Sequence, residues 1–364
     1  MKIIQVQTQA EAAGAQRVSD MLGEKLRQRG HDVRTVFMYR KTDVYDADPY
    51  ADFVLRQRPS GLGGQLRAAW GLMGYLRRQR PDAVISFQHY GNVFGTIGGR
   101  LAGAKYIVAN QSGAPEKQGI RGFVSFLDML MGSAGLYQQN VVNSAWTEAQ
   151  FEGFPSAYRR RLRRIDHGVS GPVRAYDKTE ARAAFGLPRD ATLVISAGRL
   201  SALKNLTILV EVLTRLPEVE LAIAGAGPER EAILARAEAL GVADRLHLVG
   251  EVSPSRMFEF LATGDVFAYP SRLETFGLAV AEAAVAGLPI VSSDLPVLRE
   301  VLACDGGEPA ALFMPPQDAA RFAAAIAQVL ADAPLRRRLQ SAGRRLAARY
   351  APAKMCIAYE RLLA

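Results

Sequence analysis

Residues 1–38, MKIIQVQTQAEAAGAQRVSDMLGEKLRQRGHDVRTVFM, hold one complete strand–helix–strand unit. The apolar run at 3–7 reads as a strand. Over 12–29 the residues Val18, Met21, Leu22 and Leu26 recur at helical spacing on one face, and Gly30 ends the helix. Residues 33–38 are then the next strand. The rhythm returns at 83–87, 105–109, 141–143, 193–197, 221–224, 245–249, 266–268 and 289–292. Strands alternating with helices predict parallel sheets covered on both faces, an α/β fold. There are too many units for one sheet. A composition shift falls at 165–190, where the Arg-rich YRRRLRR gives way to the Gly/Pro-punctuated HGVSGPVRAYDKTEARAAFGLPRD. It predicts a linker between two Rossmann-like, doubly wound domains, 1–172 and 173–349. In such folds ligands bind at the carboxyl ends of the strands, so paired sheets would hold a substrate in the cleft between them.

The bulk properties remove several classes of function. With 364 residues, 49% hydrophobic and 22% charged, the chain has material for two ordinary cores. Its two cysteines, Cys304 and Cys356, supply neither a disulfide framework nor a zinc spacing. The first residues lack the pattern of a signal peptide, and no apolar run reaches the ~18 residues of a membrane span. The expected address is a reducing cytoplasm. Charge is unevenly placed: residues 1–175 hold 24 Lys+Arg against 14 Asp+Glu, and residues 176–364 hold 21 against 22. The whole positive excess lies in the first half.

The second half carries the chemistry. After the strand TLVISAG, Arg199 follows a glycine and Lys204 comes five residues later. Two cations at the mouth of a helix suit an anion such as a diphosphate, because helix N–H groups and the dipole add to them; solvated loop cations are the other reading. In LAIAGAGPERE, Gly225 and Gly227 resemble part of a dinucleotide fingerprint, but Arg230 stands where its third glycine belongs. A tight strand-to-helix turn is the better reading. The richest segment is AYPSRLETFGLAVAE at 268–282. Glu274 precedes a turn, and Glu282 follows eight residues later within the helix that the turn starts. That interval lets both carboxylates face one cleft, where they suit sugar hydroxyls. Thr275, Phe276, Gly277 and Leu278 would present backbone N–H groups to phosphate. Glu282 also lies inside the apolar run LAVAEAAVAGLPIV, where a buried acid needs a partner.

The runs GRLSALKNLTILVEVL, LAIAGAGPE and LVGEVSPSRMFEFLATGDVFAYPSRLETFGLAVAEAAVAGLPIVSSD resemble the donor half of the family 4 retaining glycosyltransferases of the GT-B fold. Glu274 and Glu282 stand as the two members of that family's glutamate pair. The first half is similar more loosely, through AAGAQRVSDMLGEKLRQRGHDV, VVNSAWTEAQF and IDHGVS, where His167 replaces the family's usual Asn. The resemblance implies transfer of a hexose or N-acetylhexosamine from a UDP- or GDP-sugar, with retained anomeric configuration and neither metal nor cofactor. By the same resemblance Arg199 and Lys204 hold the leaving diphosphate, Glu282 the ribose, and Glu274 the donor-sugar hydroxyls. Gly14 forms the turn approaching the diphosphate, and a C-terminal helix at 350–364 crosses back to the first domain. His89, in SFQHYGN, falls where some relatives carry a histidine near the donor sugar; a loop histidine is the alternative. His31 and His247 read as structural. Asn110, Gln111, Ser112 and Gly113 would shape the acceptor side.

Two basic clusters remain. Residues 65–80, QLRAAWGLMGYLRRQR, read as an amphipathic helix with Leu66, Trp70, Met73 and Leu76 on one side and Arg67, Arg77, Arg78 and Arg80 as its cations. Residues 158–164 carry Arg159, Arg160, Arg161, Arg163 and Arg164. Either these helices turn apolar stripes to the core, or they lie on an anionic leaflet, with Phe123, Phe126, Leu127 and Leu130 adding an apolar edge. No nucleic-acid recognition motif accompanies the charge. The stretch VISFQHYGNVFGTIGGRLAG is similar to bacterial transferases that extend polyprenyl-diphosphate sugars for surface polysaccharides. It implies a glycan or lipid-linked acceptor and an enzyme peripheral to the inner membrane. The alternatives are a GT-B sugar-nucleotide epimerase or hydrolase without an acceptor, and a module that only binds nucleotide.

Overall fold

Strand-length apolar runs separated by amphipathic helices assemble as parallel sheets, since a helical crossover returns the chain to the same edge of the next strand. A computed structural model describes residues 1–364 except 12, 112, 114, 116–118, 305 and 306. The expected helix start at residue 12 and the loop position Ser112 lie outside the described residues. The chain divides into two units, Met1–Gly168 with Ala351–Ala364, and Val169–Tyr350. The division thus falls four residues before the expected 172/173 boundary.

Among the described residues the first unit holds seven strands: β1 (Lys2–Ala10), β2 (Asp32–Arg40), β3 (Ala51–Leu55), β4 (Ala83–Phe87), β5 (Tyr106–Gln111), β6 (Gln139–Val142) and β7 (Leu162–Arg164). Their order is β3-β2-β1-β4-β5-β6-β7, and every pairing is parallel. The second unit holds β8 (Thr192–Ala197), β9 (Val219–Ala224), β10 (Leu246–Gly250), β11 (Val266–Tyr269), β12 (Ile290–Ser293) and β13 (Ala311–Met314), ordered β10-β9-β8-β11-β12-β13 and again all parallel. Three edge strands, β3, β7 and β13, have no counterpart among the expected strands. The central strands are the apolar ones: β4 is buried throughout, whereas β3 is only half-buried.

Each unit has one topological switch point. β1 runs on to β2 on one side while its neighbour β4 runs on to β5 on the other; β8 and β11 repeat this in the second sheet. Loops leaving such a strand pair diverge and open a crevice at the carboxyl ends.

Polar side chains tie helices to the sheets. The buried Gln5 on β1 donates to the Ser19 carbonyl at 3.0 Å, fixing the helix Gly14–Gln28. Asp128, the acid that interrupts the apolar run of the helix Gly119–Ser133, is buried and accepts from Gln111 Nε2 at 2.9 Å and Tyr158 Oη at 2.8 Å. Burial raises its pKa from 3.8 to about 6. The last helix, Pro352–Arg361, belongs to the first unit. Its Glu360 accepts from Arg29 Nε at 2.7 Å and pairs with His31 at 3.0 Å, so His31 is structural. His247 likewise pairs with Glu220 between neighbouring strands.

Candidate functional site

Around the switch point of the second sheet the chain brings together the residues that follow β8 and those that follow β11. The turn after β8 reverses at Asn205, a non-glycine residue with φ +54°. Its amide donates to the carbonyls of Pro270 (3.1 Å) and Pro316 (2.6 Å). The Arg272 N–H and the Ser271 hydroxyl both donate to the Leu203 carbonyl, at 2.8 and 3.2 Å. These bonds lay the Lys204 loop against the Glu274 loop. The Lys204 ammonium pairs with Glu274 Oε1 and reaches the Tyr269 hydroxyl at 3.2 Å. Tyr269, the last residue of β11, donates to the same carboxylate oxygen at 2.5 Å. Burial and the charges of Glu274 and Glu282 push its phenol pKa well above 10. It stays a neutral donor, and both carboxylates are close enough to act on it. Arg199 is exposed in the same loop after β8, one residue past Gly198.

The glycines of LAIAGAGPE serve backbone approach. A Cβ on Gly225 would lie 1.9 Å from the Gly198 carbonyl oxygen, and one on Gly227 would lie 2.3 Å from that of Leu200. The two loops are stitched by the Gly198 and Leu200 N–H groups donating to the carbonyls of Ala224 and Ala226. That close contact accounts for the G-x-G spacing without a dinucleotide.

The helix Leu278–Ala286 starts directly after Gly277, which sits in the left-handed region at φ +85°. Its ladder opens with Ala281 N–H donating to the Gly277 carbonyl at 3.1 Å, so N–H groups of the first turn project from the helix start. Phe276 is buried edge-to-face on Tyr350, with centroids 5.3 Å apart. Its ring anchors the turn, and a ligand would meet its backbone rather than its side chain. Glu282, at 1% exposure, lies in the middle of this otherwise apolar helix. Arg199, Lys204, Glu274, Phe276, Gly277, Leu278 and Glu282 therefore belong to one switch point. Tyr269, which links three of the charges, was not among the expected residues; an aromatic ending a strand gives no polar signal.

The first unit places Gly14 and His89 at its own switch point. Gly14 begins the helix after β1, and among the described residues a Cβ there would meet no atom within 4 Å. His89 begins the helix His89–Leu101 after β4, and the Thr8 hydroxyl at the end of β1 accepts from the Gly91 N–H at 3.2 Å. The residue before it, Gln88, has φ +66° and ψ 159°, strain worth about 1–3 kcal/mol in a non-glycine residue. Nothing in the sequence marks Gln88, because Gly or Asn would be the usual sign. Asn110 and Gln111 are not in this set. Asn110 is buried, its amide donating to the Ser86 carbonyl, and Gln111 is spent on Asp128. The neutral His167 ring accepts from Asn143 Nδ2 at 3.0 Å, and burial lowers its pKa to about 4. Among the described residues no group of three or more His, Cys, Asp or Glu is placed to hold a metal ion.

Comparison with known proteins gives the family. The sequence pattern described as "Glycosyl transferase 4-like domain" matches residues 13–198, just over half of the chain, and that of "Glycosyl transferases group 1" matches residues 177–346. The chain belongs to the family 4 glycosyltransferases. A D-inositol 3-phosphate glycosyltransferase of Xylanimonas cellulosilytica is 36% identical over 183 residues, 49% of this chain and 43% of the relative. The lipopolysaccharide core biosynthesis glycosyltransferase LpsE of Rhizobium meliloti is 35% identical over 209 residues, 57% of this chain and 59% of the relative. Each match thus spans less than two thirds of the curated relative. Anabaena Alr3699/HepE, solved in complex with UDP and glucose, superposes with a TM-score of 0.83 at 17% identity, covering 100% of this chain and 99% of that one. The shared fold of this family 4 glycosyltransferase is therefore GT-B, two Rossmann-like parallel-sheet domains.

Proposed function

We propose that the chain is a retaining, metal-independent glycosyltransferase. It moves a hexose or N-acetylhexosamine from a UDP- or GDP-sugar to a glycan or polyprenyl/lipid-linked acceptor at the cytoplasmic membrane face. One observation carries the reading: Lys204, Glu274 and Glu282 meet around Tyr269 at a switch point, beside a helix start and with Arg199 in the loop that leads to Lys204. Membership of family 4 supports it, as do the UDP and glucose held by HepE and the lipopolysaccharide core role of LpsE.

The chemistry follows from the charges. As the bond from the anomeric carbon to the diphosphate oxygen breaks, negative charge grows on the leaving diphosphate. Arg199, Lys204 and the helix N–H groups stabilise that charge, which lowers the barrier. The acceptor hydroxyl attacks the same face of the sugar and passes its proton to the departing phosphate oxygen, so configuration is retained. Glu282 accepts hydrogen bonds from the ribose. Glu274, oriented by Tyr269 and Lys204, accepts from sugar hydroxyls. By the resemblance, Gly14 lets backbone approach the diphosphate; among the described residues a Cβ there would meet nothing within 4 Å. By the family resemblance, His89 is a further candidate for contact with the donor sugar.

The test is a transfer assay on UDP- and GDP-sugars with lipid-linked and soluble glycan acceptors, followed by NMR of the anomeric proton. Acceptor-dependent product with the donor's configuration supports the proposal. Donor consumption at the same rate without any acceptor refutes it.

A further inference from the structure

The helix Gly61–Gln79 does not turn its whole apolar stripe inward. Leu76 and Leu72 are buried, but Leu62 is 81%, Leu66 57% and Trp70 69% exposed. The two neighbouring helices do the same. On His89–Leu101, Ile97 and Leu101 are exposed; on Gly119–Ser133, Phe123, Phe126 and Leu130 are exposed. The steps β3 to β4, β4 to β5 and β5 to β6 all run in one direction along the sheet. Right-handed crossovers therefore lay these three helices side by side over one face. They pack against each other in that order, Gly98 sitting against Leu76 and Met73 of the first helix. This layer thus exposes eight large apolar side chains on three adjacent helices, more than the singly scattered residues of an ordinary exterior.

Its charge has a single sign. The first two helices contain no Asp or Glu, and Asp128, on the third, is buried. Arg67, Arg77 and Arg78 are exposed and have no carboxylate partner among the described residues. Arg100 is exposed as well, holding the carbonyls of Leu136 and Gly135. A second copy docked face to face would bring these guanidinium groups against their own counterparts with no acid to neutralise them. An apolar face with an all-cationic border is complementary instead to an anionic bilayer, with side chains entering the acyl boundary and guanidinium groups on lipid phosphates. The cluster at 158–164 contributes less than its composition suggests, because Tyr158 is core and Arg161 Nε donates to the Gly132 carbonyl.

We infer that the outer face of the helices Gly61–Gln79, His89–Leu101 and Gly119–Ser133 docks on an anionic lipid bilayer, with Leu62, Leu66, Trp70, Phe123 and Phe126 inserted and Arg67, Arg77 and Arg78 on the headgroups. It stands on the first unit's surface alone, so it is tested without donor or acceptor, and an inactive chain would still dock. The full chain carrying Trp146→Phe, leaving Trp70 as the sole tryptophan, is titrated with vesicles of 30% phosphatidylglycerol in phosphatidylcholine and with pure phosphatidylcholine. Trp70 emission shifts to the blue on the anionic vesicles and binding weakens as salt rises. In vesicle flotation, Leu66→Ser combined with Phe123→Ser and Phe126→Ser reduces the bound fraction at least tenfold. Arg67→Gln with Arg77→Gln and Arg78→Gln abolishes the preference for anionic lipid. Because all these positions are exposed, their thermal melts match the parent. An unshifted Trp70 emission, undiminished flotation of the serine variant, or equal binding to both vesicles overturns the inference. So does self-association in sedimentation that the serine substitutions abolish while vesicles are ignored.

Discussion

The carboxylate of Glu274 receives both the Lys204 ammonium and the Tyr269 hydroxyl on one oxygen, Oε1. Glu274 is 8% exposed and the Lys204 side chain 24%, so these donors supply the hydrogen bonds that water would otherwise give the carboxylate. Removing the lysine strands a buried anion, whereas removing the acid leaves a lysine that still reaches water. Lys204→Met is expected to lower stability by roughly 2 kcal/mol, about 5 °C in Tm. Glu274→Gln costs less, because its amide oxygen still accepts from Tyr269. Scanning calorimetry of the two variants checks the asymmetry; equal melting temperatures would count against it.

Glu282 should act on donor affinity rather than on the chemical step. One charge-assisted hydrogen bond is worth about 1.5–3 kcal/mol, so Glu282→Ala is expected to raise the donor KM roughly 10- to 100-fold, with a smaller effect on kcat. Steady-state kinetics with varied donor reads the split. A large fall in kcat at unchanged KM would remove Glu282 from the ribose role.

Two glycines separate fold from ligand. Gly225→Ala places a Cβ 1.9 Å from a carbonyl oxygen in a backbone conformation reserved for glycine, and a loss of at least about 3 kcal/mol is expected. Gly14→Ala meets nothing within 4 Å and should leave the urea midpoint unchanged or slightly raised, while the donor KM rises tenfold or more. An unchanged KM for Gly14→Ala would leave that glycine without a role at the diphosphate.

Asp128 predicts a pH signature. Its folded pKa of about 6 lies above the ordinary 3.8, so the fold favours the protonated acid. Stability from this group is complete at low pH and declines as pH rises from about 4 through 6. Asp128→Asn does not titrate, and its partners still find an acceptor oxygen. Relative to wild type it should gain roughly 1–2 kcal/mol between pH 5 and pH 8. Asp20, also raised to about 6 by burial, moves both proteins alike, so the difference is the readout in urea unfolding. A difference independent of pH would contradict the assignment.

The α/β architecture was legible because central strands such as β4 and β8 are continuous apolar runs bounded by helices. β3, β7 and β13 were not, since an edge strand is covered on one side only; β7 lies within the arginines of 158–164. Glu282 stood out because an acid in the middle of LAVAEAAVAGLPIV calls for a reason, and Glu274 because it precedes the turn that starts this helix. Tyr269 could not, because its meeting with Lys204 depends on β8 and β11 being neighbours in a sheet. Periodicity also placed Leu66 and Trp70 on one helical side without saying whether that side faced core or solvent. Only the packing of three helices decides it.

Calorimetric titration of wild type, Arg199→Ala and Glu282→Ala with a panel of UDP- and GDP-sugars tests the donor site most directly. Saturable binding of one nucleotide sugar by wild type, weakened at least tenfold by each substitution, is the predicted result. Binding that both variants retain at full strength, or no binding of any nucleotide sugar by wild type, would contradict the account.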